Sequence, residues 1–176
     1  MKKIAVLFIC LLAHVGLHAQ VKPYKISMAI KSTSSPQELY KLGKNWFIDK
    51  LQCLNKRLVL DDGSQGVIVG QCFFTYQPKV EINSARIKGT VEYTVKLRFR
   101  DGWYEYEFSD FRHKGAEISL GLLTDSANCP AAIQGVSDEW KKQVWDDLKA
   151  QASAIVKSII KDMVPEISRQ DVSGKL

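Results

Sequence analysis

The side chains with the best claim to chemistry in this 176-residue chain are one histidine, two glutamates and three of its four cysteines. His113 follows Asp110-Phe111-Arg112 at the end of a predicted strand, where an imidazole beside a carboxylate would serve as a general base. A lone polar histidine in such a place more often serves structure. Glu105 and Glu107 share one strand face about 7 Å apart, from a rise near 3.4 Å per residue, a loose fit to the paired carboxylates of glycoside hydrolysis. Arg98 and Lys96 fall opposite them and account for both as rungs of a solvated charge ladder. Cys72 alternates with Ile68, Gly70, Phe74 and Tyr76 and reads as a buried thiol, a small hydrophobe. Cys53 and Cys129 lie in predicted connecting segments and are the pair open to a disulfide, since an odd set of three permits one bridge at most. No close cysteine pair exists for zinc. Asp61-Asp62-Gly63 lacks the spaced oxygen ligands and closing glutamate of a calcium loop, and reads as a solvated turn. Nucleophile elbows, two-histidine metalloprotease helices and phosphate-binding glycine loops are missing from the sequence. No catalytic residue, metal or cofactor is assigned, and a hydrolase is the weakest of the readings.

The elements that must position these residues centre on Thr90 to Phe111, which reads as one hairpin folded about Asp101-Gly102. Such a turn needs positive φ, which glycine supplies, and its twist matches that of the flanking strands. Pairing Arg100 with Trp103 then sets Phe99 against Tyr104, Leu97 against Tyr106 and Val95 against Phe108 on one apolar face. The opposite face carries the Arg98–Glu105 and Lys96–Glu107 pairs, with Arg100 placed to stack on Trp103.

Upstream, Tyr24, Ile26, Met28 and Ile30 alternate with polar residues as a half-buried strand. Ser35-Pro36-Gln37-Glu38 is a capping box with proline at the first position, opening a helix that should end near Leu51. Arg57 to Asp61 make a short strand. Val67 to Tyr76 form a longer one, apolar on both faces and so expected to be central or covered twice. Residues 114–136 show no clear periodicity and are long for a connection, which marks them as an insert loop, either a place for specificity or a cover over a sheet edge. From Ser137 a wide apolar stripe through Trp140, Val144, Leu148, Ala152, Ile155, Ile159 and Met163 predicts a helix to Val164. It is about 40 Å long at 1.5 Å per residue, stopped by Pro165.

Met1-Lys2-Lys3, the apolar run Ile4–Leu12 and Leu17-His18-Ala19 describe a secretory signal peptide over residues 1–19, with cleavage expected after Ala19. Ile9 before Cys10 is not the small residue that lipid attachment needs. The full chain carries +6 at neutral pH; the leader takes two lysines and no acid with it. Residues 20–165 are expected to form one domain and 166–176 a flexible tail. No later run is long enough to span a bilayer. Mild positive charge spread along the chain favours solubility and does not suggest nucleic acid. The expected location is exported, in the periplasm or cell envelope.

The element order implies an α+β domain, β-α-β(4)-α, in which a curved antiparallel sheet holds a long C-terminal helix in a helix-grip arrangement. Ser35 to Tyr40 with Trp46, the Asp61-Asp62-Gly63 turn leading into Gly66-Val67-Ile68-Val69-Gly70, and Lys96 to Tyr106 followed by Asp110-Phe111-Arg112-His113 resemble domain of unknown function family 4468. That family consists of exported bacterial proteins with a TATA-binding-protein-like (TBP-like) fold. The resemblance spans residues 35–113 and implies no activity, cofactor or site residue, and a fold name gives no licence for DNA binding. By elimination the chain is expected to be a non-catalytic binding module for an unknown small apolar or amphipathic ligand. The rings expected between sheet and last helix are Tyr93, Tyr104, Tyr106, Trp140 and Trp145, which would either line a cavity or fill the core against one another. The alternative is a cell-envelope protein–protein interaction domain, recruiting an envelope protein through Arg100 and Trp103.

Overall fold

A computed structural model describes residues 22–168. Residues 1–21, where the secretory leader is expected, and residues 169–176, most of the expected tail, lie outside that range. The elements run β1 (Ile26–Lys31), α1 (Pro36–Asn45), a π-helical turn (Trp46–Lys50), β2 (Leu54–Asp62), β3 (Val67–Tyr76), a short α2 (Ser84–Ile87), β4 (Gly89–Arg100), β5 (Trp103–Gly115), β6 (Gly121–Leu122) and α3 (Asp138–Ile167). The sheet is antiparallel with order β1-β5-β4-β3-β2, and β6 pairs with β5.

The β4–β5 hairpin has the predicted register, with Arg100 opposite Trp103, Leu97 opposite Tyr106 and Val95 opposite Phe108. Gly102 takes φ +75° at the turn. One face of the sheet is therefore a continuous apolar wall, and α1 and α3 cover it. Ser35 caps α1 with the full reciprocal box, and the Ser137 hydroxyl accepts from the Trp140 amide at the start of α3. Along α3, Trp140, Val144, Trp145, Leu148, Ala152, Val156, Ile159, Met163 and Ile167 are buried in one core with the sheet. Gly43 and Gly70 let two rings in: a β-carbon at Gly43 would stand 2.2 Å from Phe99 Cζ, and one at Gly70 2.0 Å from Phe47 Cζ.

Several expectations are corrected. The disulfide joins Cys53 to Cys72, leaving Cys129 a free thiol. The start of β2 pairs with β3, Leu54 opposite Phe73, which carries Cys53 across to the core face of its neighbour. Closing this 19-residue separation contributes about 3 kcal/mol in the chain-entropy account. β2 begins at Leu54, earlier than the alternation suggested, and β3 lies second from the edge, covered on one face only. Its other face, with Val67, Val69 and Phe73, is half-buried. Pro165 does not stop α3, which runs to Ile167. In the last turn a proline removes one ladder bond at most, and buried Ile167 holds the end down. Residues 114–136 are partly sheet: β5 extends to Gly115, β6 adds to it, and Thr124 bridges to Pro23.

At Asp110 the hairpin carries a bulge. Thr94 pairs with Ser109 but Glu92 with Arg112, and Asp110 adopts φ +56°. The extra residue flips the alternation, so Phe111 and His113 turn into the core.

Two predictions follow from this packing. Gly70→Ala forces the new methyl into the Phe47 ring and should destabilise by about 1–3 kcal/mol, measured by chemical denaturation, with part of the loss recovered when Phe47→Leu is added. His113 is 1% exposed; burial holds its imidazole below the ordinary histidine value. The folded state thus favours the neutral ring. Its stabilising share is complete above the unfolded value near 6.5 and is lost as pH falls from there through the depressed folded value. Stability should drop as pH falls below about 6.5, and the drop should shrink in His113→Gln.

Candidate functional site

The polar groups that drew attention in the sequence are occupied by their neighbours. Arg98 donates to Glu105 at 2.9 Å, and Glu107 is met by Lys25, just before β1, at 3.3 Å. His113 Nδ1 accepts from the Leu120 amide at 3.1 Å, so Nε2 carries the proton and donates to the Ile87 carbonyl at 2.9 Å. The imidazole thereby staples β6 and α2 to β5, with both nitrogens committed. The Asp61–Asp62 turn is likewise internal: Asp61 pairs with Lys44 at 2.6 Å and accepts from Tyr40, while Asp62 accepts from Ser64 and the Gln65 amide. Burial, and then the hydrogen bond to Asp61, push the Tyr40 phenol up to about 12. Among the described residues no three metal-binding side chains converge.

Of the five rings expected between sheet and helix, all are buried, and four are spent on packing. Trp140 Nε1 donates to the Ile82 carbonyl at 2.9 Å and Trp145 Nε1 to the Ser126 carbonyl at 3.0 Å. Lys149 stands 5.1 Å over the Trp145 ring. The Tyr104 hydroxyl meets Ser168 Oγ at 3.2 Å, and Tyr106 packs edge-on against Phe108.

Tyr93 differs. Its ring stacks on Phe111 with centroids 5.5 Å apart, and its hydroxyl is fully buried without a hydrogen-bond partner. Burial raises the phenol above its ordinary value, which keeps it protonated. A buried hydroxyl left unpaired costs about 1–3 kcal/mol.

Tyr93 also lines an open groove of about 520 Å³ at the side of the molecule where β2, β3 and α3 part. Phe73, Phe74 and Thr75 of β3 form one side, Gln52, Cys53 and Leu54 the rim, and Ile155 of α3 the other. Leu54 is 50% and Ile155 36% exposed, so the entrance is apolar. The rim is held hard. The disulfide ties Cys53 to β3, and the Lys56 ammonium donates to the carbonyls of Ile48 and Leu51, capping the π-helical turn. Such turns recur at functional sites because the extra residue re-aims the chain. None of this was legible in the sequence apart from Tyr93 itself.

The two residues expected at a partner surface do not stack on each other. Arg100 donates to the carbonyls of Gln65 and Phe99, bracing the neighbouring turn, and lines a depression of about 160 Å³ with Pro36 and Gln37. Trp103 is half-buried beside Ala29, Ile30 and Lys31 in a separate, shallow hollow of about 440 Å³.

A single antiparallel sheet gripping one long helix, with an apolar groove opening at one sheet edge, defines an α+β helix-grip domain. The chain belongs to DUF4468, a domain of unknown function with TBP-like fold, whose profile matches residues 24–114. A TBP-like protein from Parabacteroides distasonis superposes with a TM-score of 0.52 at 12% identity, covering 80% of this chain and 92% of its own. A DUF4468 family protein from Bacteroides ovatus gives 0.49 at 13% identity, over 85% and 89% of the two chains. The Zhui aromatase/cyclase of a Streptomyces species gives 0.33 at 7% identity, over 87% and 99%. No curated protein matches the chain. The fold is common ground with the first of these.

Removing the orphan hydroxyl should relieve its burial cost. Tyr93→Phe is expected to leave stability equal or raise it by about 1 kcal/mol, read as a higher denaturation midpoint. A buried tyrosine with a hidden partner would show the opposite.

Proposed function

We propose that this domain is an exported, non-catalytic module that holds a small amphipathic molecule in the groove between β3 and α3. The observation that carries the reading is the Tyr93 hydroxyl, buried and unpaired beside an apolar entrance formed by Leu54 and Ile155. A ligand with a flat or branched apolar body and one hydrogen-bonding group would meet both features. Its body would replace water over Leu54, Phe74 and Ile155, and its polar group would supply the partner that Tyr93 lacks. Entry requires the rings at the groove floor to shift, since the hydroxyl is closed off in the present arrangement.

Export is supported by the leader-like residues 1–19 and by the Cys53–Cys72 disulfide, which is at home in an oxidising compartment. Among the described residues no helix is long and apolar enough to cross a membrane.

The test is native mass spectrometry of the protein recovered from its producing cells, together with titration of an environment-sensitive anilinonaphthalene sulfonate probe. The expected result is one probe per chain. Ile155→Arg, which sets a charge on the groove wall at an exposed site, should weaken the probe at least about tenfold, and Tyr93→Phe should weaken ligands that carry a hydrogen-bonding group while sparing purely apolar ones. Binding that ignores Ile155→Arg would remove the groove from consideration.

A further inference from the structure

The outer edge of β2 carries a second feature, independent of the groove. Leu58, Val59 and Leu60 are consecutive and 40%, 55% and 45% exposed. β2 is the terminal strand of the sheet, so among the described residues no strand lies beyond it. Unpaired backbone groups flanked by exposed aliphatics on an edge strand are a template for another strand.

The charges say which strand. Lys56 and Arg57 precede the apolar triplet, and Asp61 and Asp62 follow it. Run antiparallel against a copy of itself about Val59, this stretch sets its basic end beside the acidic end of the other chain, twice over by symmetry. A parallel copy would set like charges together. Counted about Val59, Arg57 falls across from Asp61 and Lys56 across from Asp62 of the other chain. Arg57 pairs with Gln71 and Asp62 with Val67, two β3 positions on the same uncovered face, so the slip at Val59 makes Arg57 of one chain and Asp62 of the other diagonal neighbours on that face. Each retains capacity there: the Arg57 guanidinium gives one nitrogen to Gln71, and Asp62 accepts from Ser64 and Gln65 through one of its two oxygens.

We propose that the protein forms a two-fold symmetric dimer by antiparallel pairing of its β2 edges, joining two sheets into one. Isologous contacts of this kind are self-complementary and closed, which protects the edge from unlimited addition. β2 also slips register against β3 between Leu58 and Leu60, leaving Val59 outside the β3 ladder. The slip adds twist, which confines the contact to the triplet and its flanking charges. The dimer is therefore small and concentration-dependent.

Sedimentation equilibrium of the purified chain from about 1 to about 500 µM tests this. The expected result is a monomer–dimer equilibrium. Arg57→Glu and Asp62→Lys should each weaken it at least about tenfold, and an equimolar mixture of the two should recover a heterodimer, because only the mixed pair matches. Val59→Lys, which faces its own copy across the two-fold, should be monomeric throughout. Circular dichroism checks the fold of each variant. If Asp62→Lys unfolds on losing its turn contacts, Arg57→Glu and Val59→Lys, both at exposed positions, still decide. A wild-type chain that is monomeric over the whole range overturns the proposal, as does a dimer indifferent to Val59→Lys or a mixture of two folded variants that does not recover.

Discussion

The inner face of the sheet is apolar from β3 to β5, and α3 is the element that removes most of it from water. This burial is the constraint from which the other features follow. A thirty-residue helix laid across one sheet must bring its stripe into contact at every turn, and Trp140, Val144, Leu148, Ala152, Val156, Ile159, Met163 and Ile167 do so at spacings of three and four residues. Aromatic rings with polar tips supply much of the filling. Each tip that enters an apolar core needs a partner, and the helix or its neighbours provide one: Asp147 for Tyr76, Ser168 for Tyr104, and backbone carbonyls for Trp140 and Trp145. These contacts fix the helix along its length as well as against the sheet.

Against that pattern the Tyr93 hydroxyl stands out, because it is fully buried without a partner while the tips of Tyr76, Tyr104, Trp140 and Trp145 have one. Tyr93 lines the groove bounded by Ile155 and Leu54. The surrounding segment carries a π-helical turn, a lysine cap and one half of the disulfide within a dozen residues. A rigid rim around an apolar opening lowers the entropy that a bound molecule would have to overcome. The π-helical turn, the lysine cap and the disulfide thus gather beside the groove that Tyr93 lines.

The sheet has two outer strands and treats them differently. Near β1 the chain is joined to the segment after β6, through the Pro23–Thr124 bridge and the Tyr24 amide bonded to the Leu123 carbonyl. At β2 the described residues offer no such neighbour, and the aliphatic side chains face water with opposite charges at either end. The groove and the β2 edge adjoin one another, so both functional readings concentrate on the same quarter of the domain. The far end, with the hairpin tip and the hollow beside Trp103, is held by Arg100 bracing the Gly66 turn.

How much of this the sequence determined follows from the range of the forces involved. The hairpin register and the starts of α1 and α3 are local: an Asp101-Gly102 turn and serine caps act within a few residues, and the structure agrees with each; alternation gave the faces of β4 and of β5 up to Phe108, but not of β1, where Met28 is exposed. The pairing of Cys53 with Cys72 was not legible, because it depends on where β2 returns beside β3, and β2 begins before its alternation does. His113 reads as an exposed strand end until one bulged residue, Asp110, reverses which way the strand faces. The groove has no local signature at all. It is the space left between Leu54, β3 and Ile155 of α3, segments a hundred residues apart, and only the assembled packing decides whether such a space is filled by the protein's own rings or left open beside Tyr93.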